Sequence, residues 1–124
     1  MKKILVVDDN DASRELLRAV LRDSDREILE ACRGDQALET IAGERPDLVL
    51  LDIELPVMDG FAVLRALRED PRFGALPVVA VTAHAMQGSE EIALRAGFTA
   101  YITKPIRPAD VRRRVAEILD SKTK

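Results

Sequence analysis

Four short apolar runs in this chain each stop at a polar residue that suits phosphate chemistry. The runs cover residues 4–7, 48–51, 78–81 and 101–103, and the residues that follow them are Asp8, Asp52, Thr82 and Lys104. If the runs are parallel strands, these residues meet at one edge of the sheet, because parallel strands share a carboxyl end. Asp9 joins them because it directly follows Asp8. The pattern therefore predicts three carboxylates, a hydroxyl and an ammonium group in one cleft.

Strand-like and helix-like segments alternate along the whole chain, which predicts a parallel sheet with right-handed crossovers. The expected fold is α/β: a doubly wound, five-stranded sheet between two layers of helices. The runs at 48–51 and 78–81 are apolar throughout and read as central strands. The segment 27–32 carries Glu27 and Glu30 and reads as an edge strand, where charge discourages wrong pairing.

Helix ends and buried faces can also be read from the sequence. Asn10 or Asp11 is expected to cap the first helix, Gly43 to stop a second helix over 34–42, and Gly97 to stop a fourth over 86–96. The last helix is expected to begin at Pro108. The residues expected on buried helix faces are Leu16, Leu17, Val20 and Leu21 in the first helix, Ile92, half-buried, in the fourth, and Val111, Val115, Ile118 and Leu119 in the last.

Composition limits the surroundings and the partners. The net charge of −3 argues against a nucleic-acid-binding surface, and 124 residues suffice for one domain, which we expect to span 1–124 without an output domain. The apolar stretch after the first three residues is too short for a signal peptide or a membrane span. The single cysteine, Cys32, is expected to be a small buried side chain and fits a reducing compartment. We therefore expect a cytoplasmic protein with no membrane contact.

The three aspartates at the predicted cleft need a cation. Each pair of ionised carboxylates at ~4–6 Å costs about 4 kcal/mol at an effective dielectric constant near 20. Lys104 supplies one positive charge, and oxygen ligands favour a hard divalent ion such as Mg²⁺. An aspartate can also act as a nucleophile and form an acyl phosphate. The residues therefore indicate a cation and phosphoryl site.

These residues resemble the receiver domain of two-component response regulators, and the resemblance covers the whole chain. The motifs that carry it are Val-Asp-Asp-Asn at 7–10, Leu-Asp-Ile-Glu-Leu-Pro-Val-Met-Asp-Gly at 51–60, Val-Thr-Ala at 81–83 and Tyr-Ile-Thr-Lys-Pro at 101–105. The chain is most similar to the stand-alone receivers of chemotaxis and cell division. The resemblance implies a flavodoxin-like sheet with strand order 2-1-3-4-5.

The resemblance also implies which residues hold the phosphoryl group and the metal. Asp52 would be the phosphoacceptor. Asp9 would bind Mg²⁺ directly and Asp8 directly or through water, and Asp52 and the backbone carbonyl of Glu54 would complete the ligands. By the same resemblance, Lys104, Thr82 and the backbone of Ala83 would stabilise the phosphoryl group.

Further positions would control switching and lifetime. Thr82 and Tyr101 would form the conformational switch, and the Lys104–Pro105 peptide bond would be cis. Glu54 and His84 would tune the lifetime of the phosphoryl group, because they flank the route of water to it.

The partners implied are a sensor histidine kinase or a histidine phosphotransfer protein as donor, and a downstream protein on the face of the fourth helix, fifth strand and fifth helix. Kinase specificity would lie on the first helix, at Ala12, Arg14, Glu15 and Arg18. Such a domain promotes its own phosphorylation and dephosphorylation without being a conventional enzyme.

Two alternatives stay open from the sequence. A receiver-like scaffold that is never phosphorylated would be expected to lack an acidic residue, the threonine or the lysine, and none is missing. A phosphohydrolase with an aspartyl nucleophile, of the haloacid dehalogenase type, would want an aspartate where Glu54 stands. A flavin carrier is disfavoured, because the chain has one tyrosine, three phenylalanines and no tryptophan, and its first loop is acidic.

Overall fold

The computed structural model of the chain describes residues 1–23, 25–83 and 87–123. The strands are β1 (Lys2–Val7), β2 (Arg26–Ala31), β3 (Leu48–Leu51), β4 (Val78–Thr82) and β5 (Ala100–Thr103). The helices are α1 (Asp11–Leu21), α2 (Gly34–Glu44), α3 (Gly60–Glu69), α4 (Ser89–Ala96) and α5 (Pro108–Thr123). The strands form one parallel sheet in the order β2-β1-β3-β4-β5. The predicted doubly wound, flavodoxin-like fold is confirmed.

Two hydrophobic cores lie on opposite faces of this sheet. Alternate strand residues point to opposite faces, so Leu5 and Val7 join one core while Ile4 and Val6 join the other. The first core is covered by α2, α3 and α4, and the second by α1 and α5. The molecule is therefore a three-layer αβα arrangement. None of the helices in the described parts of the chain is long and apolar enough to cross a bilayer.

The central and edge strands are placed as predicted. Every residue of β3 and β4 is buried, because each of these strands has a neighbour on both sides and helices on both faces. β2 lies at the edge of the sheet, and Glu27 is exposed there. The carboxyl ends of β1, β3, β4 and β5 therefore form one continuous rim, on which the polar residues stand.

Helix ends agree with the sequence at three of four positions. Asn10 caps α1, its side chain accepting a hydrogen bond of 2.9 Å from the backbone N–H of Ser13. Gly97 ends α4 with φ 117°, and Pro108 begins α5. The predicted stop at Gly43 is wrong, because α2 continues to Glu44 and the left-handed residue is Arg45, at φ 50°. The following Pro46 explains this, since a residue before proline is disfavoured in the helical region.

Three burial expectations are wrong. Leu16, expected on a buried helix face, is 49% exposed, and Ile92, expected to be half-buried, is 61% exposed. Helical periodicity gives the direction of a buried face but not its width, and only a narrow stripe of each helix meets the sheet. In α4 the buried positions are Ser89 and Ala93, one turn apart. Cys32 is half-buried, just beyond the end of β2.

The adjacent leucines of α1 offer a test of this narrow stripe. We expect Leu17→Ala to lower the free energy of unfolding by about 3 kcal/mol, because Leu17 is 3% exposed and its loss leaves a cavity. Leu16→Ala is the matched control and is expected to change it by less than about 0.5 kcal/mol. Urea denaturation of both variants checks the difference. Equal losses would contradict the assignment of the buried face.

Candidate functional site

Three carboxylates meet where β1 and β3 end. The two strands are neighbours, and Val7 pairs with Leu51, so the residues that follow them, Asp8 and Asp52, stand side by side. Asp9 is the next residue along the loop. One carboxylate oxygen from each of the three aspartates lies within 4.8 Å of the others. The sheet register therefore produces the acidic cluster that the strand ends predicted.

Lys104 bridges the two buried carboxylates. Its Nζ lies 2.6 Å from Oδ2 of Asp8 and 3.2 Å from Oδ2 of Asp52. The other oxygen of each carboxylate accepts a backbone hydrogen bond of 2.9 Å, from Asn10 to Asp8 and from Glu54 to Asp52. Both aspartates are buried, at 2% and 7% exposure. Their orientations are therefore fixed by three donors, namely one ammonium and two N–H groups.

The charges in the cluster keep Lys104 protonated. Burial alone would lower the pKa of its ammonium group, but the hydrogen bond to Asp8 and the charges of Asp52 and Asp8 outweigh it and raise that pKa. The three carboxylates against this one ammonium leave an excess of two negative charges. That excess matches one divalent cation.

The donor set fits Mg²⁺. All of the candidate ligand atoms are oxygens, and Mg²⁺ binds to one or two carboxylates while it keeps several waters. The carboxylate of Asp9 is exposed and makes no hydrogen bond or ion pair with any residue that the structure describes. It is thus available as a ligand, whereas Asp8 and Asp52 each already bind Lys104 through one oxygen.

The loop between β3 and α3 folds tightly over Asp52. The N–H of Gly60 donates to the carbonyl oxygen of Ile53 at 2.9 Å. A Cβ atom at position 60 would stand 2.7 Å from the carbonyl oxygen of Asp52, a distance that Cβ atoms in proteins essentially never show. Only glycine allows this approach. Asp59 caps α3 immediately before it, accepting a hydrogen bond from Ala62.

Thr82 and Ala83 stand at the end of the next strand. Thr82 is fully buried, and its hydroxyl donates to Oε1 of Glu54 at 3.3 Å. Its carbonyl accepts a 2.9 Å hydrogen bond from the backbone of Lys104, which joins β4 to the loop after β5. Ala83 follows and is exposed. Glu54 therefore connects the acidic cluster to Thr82.

Tyr101 lies inside the molecule, one strand further along. It is 6% exposed and belongs to the core beneath α4. Burial raises the pKa of its phenol, while a hydrogen bond with Ser89 opposes part of that rise. The Lys104–Pro105 peptide bond is cis. His84 lies outside the described residues.

Arg14 contacts the acidic loop, which the sequence did not reveal. Its Nη1 donates to the carbonyl oxygen of Asp8 at 2.6 Å, and its side chain pairs with Glu30 of β2 and with Asp11. The side chain is only 15% exposed, so most of its surface is covered by the rest of the protein. Arg14 stands one helical turn after the cap residue Asn10, and this spacing is the sequence signal that could have predicted its contact with the loop after β1.

Comparison with known proteins agrees with the family that the sequence motifs resemble. The family model of the response regulator receiver domain matches residues 4–116. The polar-differentiation response regulator DivK of Brucella anthropi is 40% identical over 105 residues, which cover 85% of this chain and 85% of that protein.

Solved structures resemble the whole arrangement. A putative response regulator from Chloroflexus aurantiacus has a TM-score of 0.90 at 33% identity, covering 96% of this chain and 98% of that chain. The receiver domain of a sensor histidine kinase from Pseudomonas aeruginosa has a TM-score of 0.86 at 32% identity, with the same two coverages. That domain was solved with a magnesium ion coordinated in its active site cleft.

Proposed function

Because the chain belongs to the family of response regulator receiver domains, which act in two-component signalling, we propose that Asp52 is its phosphoacceptor. The donor is the phosphohistidine of a sensor histidine kinase or of a phosphotransfer protein. One observation carries the proposal: the buried carboxylate of Asp52 binds Lys104 and lies within 4.8 Å of two further carboxylates.

The residues of the cluster have separate roles in the transfer. A carboxylate oxygen of Asp52 forms the new bond to phosphorus as the bond to the imidazole nitrogen of the donor breaks. Asp8, Asp9, Asp52 and the backbone carbonyl of Glu54 would hold Mg²⁺, which offsets charge on the phosphoryl oxygens. Lys104 offers a second positive charge at 3.2 Å from Asp52, and it is already in place before the phosphoryl group arrives.

The signal would then travel from the cleft to the surface. A phosphoryl group brings about −1.5 to −2 charges, which attract the hydroxyl of Thr82, the backbone N–H of Ala83 and the ammonium of Lys104. Tyr101 follows Thr82 and shifts an equilibrium that exists already between two conformers. The downstream protein would bind to the face of α4, β5 and α5, where a groove is lined by Glu90, Tyr101 and Arg114 among others.

Phosphorylation by a small donor tests the proposal. Incubation with acetyl phosphate and Mg²⁺ is expected to add the mass of one phosphoryl group, labile to hydroxylamine because it is an acyl phosphate. Asp52→Asn is expected to stay unmodified. Asp59→Asn, in the same loop, is the matched control and should be modified normally, since asparagine caps α3 equally well. Intact mass spectrometry reads all three proteins.

The same experiment separates the alternatives. A binding scaffold would give no adduct on the wild-type protein, and its spectrum would not change when Mg²⁺ is added. A phosphohydrolase would release inorganic phosphate steadily from small phosphomonoesters. Either result would contradict the assignment of Asp52 as a signalling phosphoacceptor.

A further inference from the structure

The hydroxyl of Thr82 already has an anionic partner within the cleft. It donates to Oε1 of Glu54 at 3.3 Å, and Thr82 is fully buried whereas Glu54 is exposed. Glu54 is fixed at its backbone, because its N–H donates to Oδ1 of Asp52 at 2.9 Å. Its carboxylate therefore reaches from the loop after β3 across to the end of β4.

We propose that the Glu54 carboxylate is a brake, which competes with the phosphoryl group on Asp52 for the hydroxyl of Thr82. This inference rests on the proposed function, because it concerns the regulation of the same site. While Asp52 is unmodified, Glu54 holds the hydroxyl. Once Asp52 is modified, the hydroxyl exchanges one anionic acceptor for another, and the cost of leaving Glu54 opposes activation.

The length of the contact suits an exchangeable partner. Hydroxyl hydrogen bonds are most often 2.7–2.8 Å long, so a bond of 3.3 Å to an exposed carboxylate is weak for its type. A hydrogen bond of this strength changes an equilibrium constant by roughly two- to tenfold. The brake would thus set the threshold of activation without preventing it.

Charge repulsion offers a second way in which Glu54 could oppose modification. An added phosphoryl group would repel the Glu54 carboxylate whether or not Thr82 is present. The two mechanisms differ in their dependence on the hydroxyl. Under the brake, removal of Glu54 helps only when Thr82 can be released. Under repulsion alone, removal of Glu54 helps equally in every background.

A double-mutant cycle separates these mechanisms. The probe is beryllofluoride, a mimic of the phosphoryl group, titrated calorimetrically in saturating Mg²⁺. We expect Glu54→Ala to tighten beryllofluoride binding about fivefold. In a Thr82→Val background, which keeps the branched shape but removes the hydroxyl, the same substitution should tighten it less than about twofold. Thr82→Ser keeps the hydroxyl and should restore the full ratio.

Two further variants sharpen the cycle. Glu54→Gln keeps an acceptor oxygen without the charge, so under the brake its effect should lie between those of wild type and Glu54→Ala. Under repulsion alone the two variants would be equal. Glu69→Ala is the matched control, because it removes an exposed carboxylate at the far end of α3, about 13 Å along the helix from Gly60. It should leave beryllofluoride binding unchanged.

The outcomes are distinguishable. Equal tightening by Glu54→Ala in the Thr82 and Thr82→Val backgrounds would overturn the brake and leave the phosphoacceptor role of Asp52 intact. Failure of wild-type protein to bind beryllofluoride, together with no adduct from acetyl phosphate, would overturn both. Background-dependent tightening that Thr82→Ser restores would support the brake.

Discussion

Lys104→Met is expected to slow phosphorylation of Asp52 by acetyl phosphate about a hundredfold, the usual loss when one charge-stabilising donor is removed. The same substitution should lower the free energy of unfolding by about 3 kcal/mol in metal-free buffer. Lys104 is the cation that the buried carboxylates of Asp8 and Asp52 share, at 2.6 and 3.2 Å. Methionine has nearly the same length, so the change removes the charge and little packing.

Lys3→Met is the matched control for this substitution. Lys3 pairs with Glu44 at 3.0 Å, but both side chains are at least one-third exposed, and such pairs add little to stability because water screens them. The two variants are compared by urea denaturation and by the rate of adduct formation. Equal stability of the Lys104 and Lys3 variants, or an unchanged phosphorylation rate, would contradict the assigned role of Lys104.

Much of the site could be predicted because it follows from backbone geometry. Parallel strands share an edge, so apolar runs that stop at Asp8, Asp52 and Lys104 predict a cluster without knowledge of side-chain positions. The order of the strands came from the resemblance, and it matters, since only the adjacency of β1 and β3 puts Asp8 beside Asp52.

Contacts between side chains and backbone carbonyls could not be predicted. Arg68 shows this clearly: it donates to the carbonyl oxygens of Gly97, Phe73 and Leu76 at 2.8–3.2 Å, and burial lowers the pKa of its guanidinium. It joins the end of α3 to the loop before β5. Every residue has a carbonyl, so the sequence carries no signal of which three will converge. The contact of Arg14 with Asp8 is of the same kind.

The widths of buried helix faces could not be predicted either, and the cause is again geometric. Leu16 and Leu17 are equally apolar, but the contact stripe of α1 includes only the second. Which of the two adjacent residues is buried depends on how α1 is rotated against the sheet. That rotation is fixed jointly by the neighbouring strands and α5, and it is therefore not encoded in the helix alone.

Asp9→Asn is expected to reverse its effect on stability when Mg²⁺ is added. Without the metal, the variant should be more stable than wild type by about 1 kcal/mol, because Asp9 adds an exposed, unneutralised charge within 4.8 Å of two carboxylates. With Mg²⁺ at a hundred times its dissociation constant, wild type gains about 2.7 kcal/mol, or roughly 10 °C in Tm. The variant should gain less than a third of that, because it lacks a ligand.

Thermal unfolding in EDTA and in Mg²⁺ measures this reversal, which mere destabilisation by a substitution does not produce. Asp25→Asn is the control. Asp25 is exposed and directly precedes β2, so it lies at the amino ends of the parallel strands, away from the acidic cluster at their carboxyl ends. Its response to Mg²⁺ should equal that of wild type. If Asp9→Asn kept the wild-type gain, Asp9 would not be a metal ligand. If the Asp9→Asn variant were less stable than wild type in EDTA, repulsion among the carboxylates would not be the main electrostatic cost of the cluster without metal. The effect changes sign because the Asp9 carboxylate repels its two neighbours when the cation is absent and binds the cation when it is present.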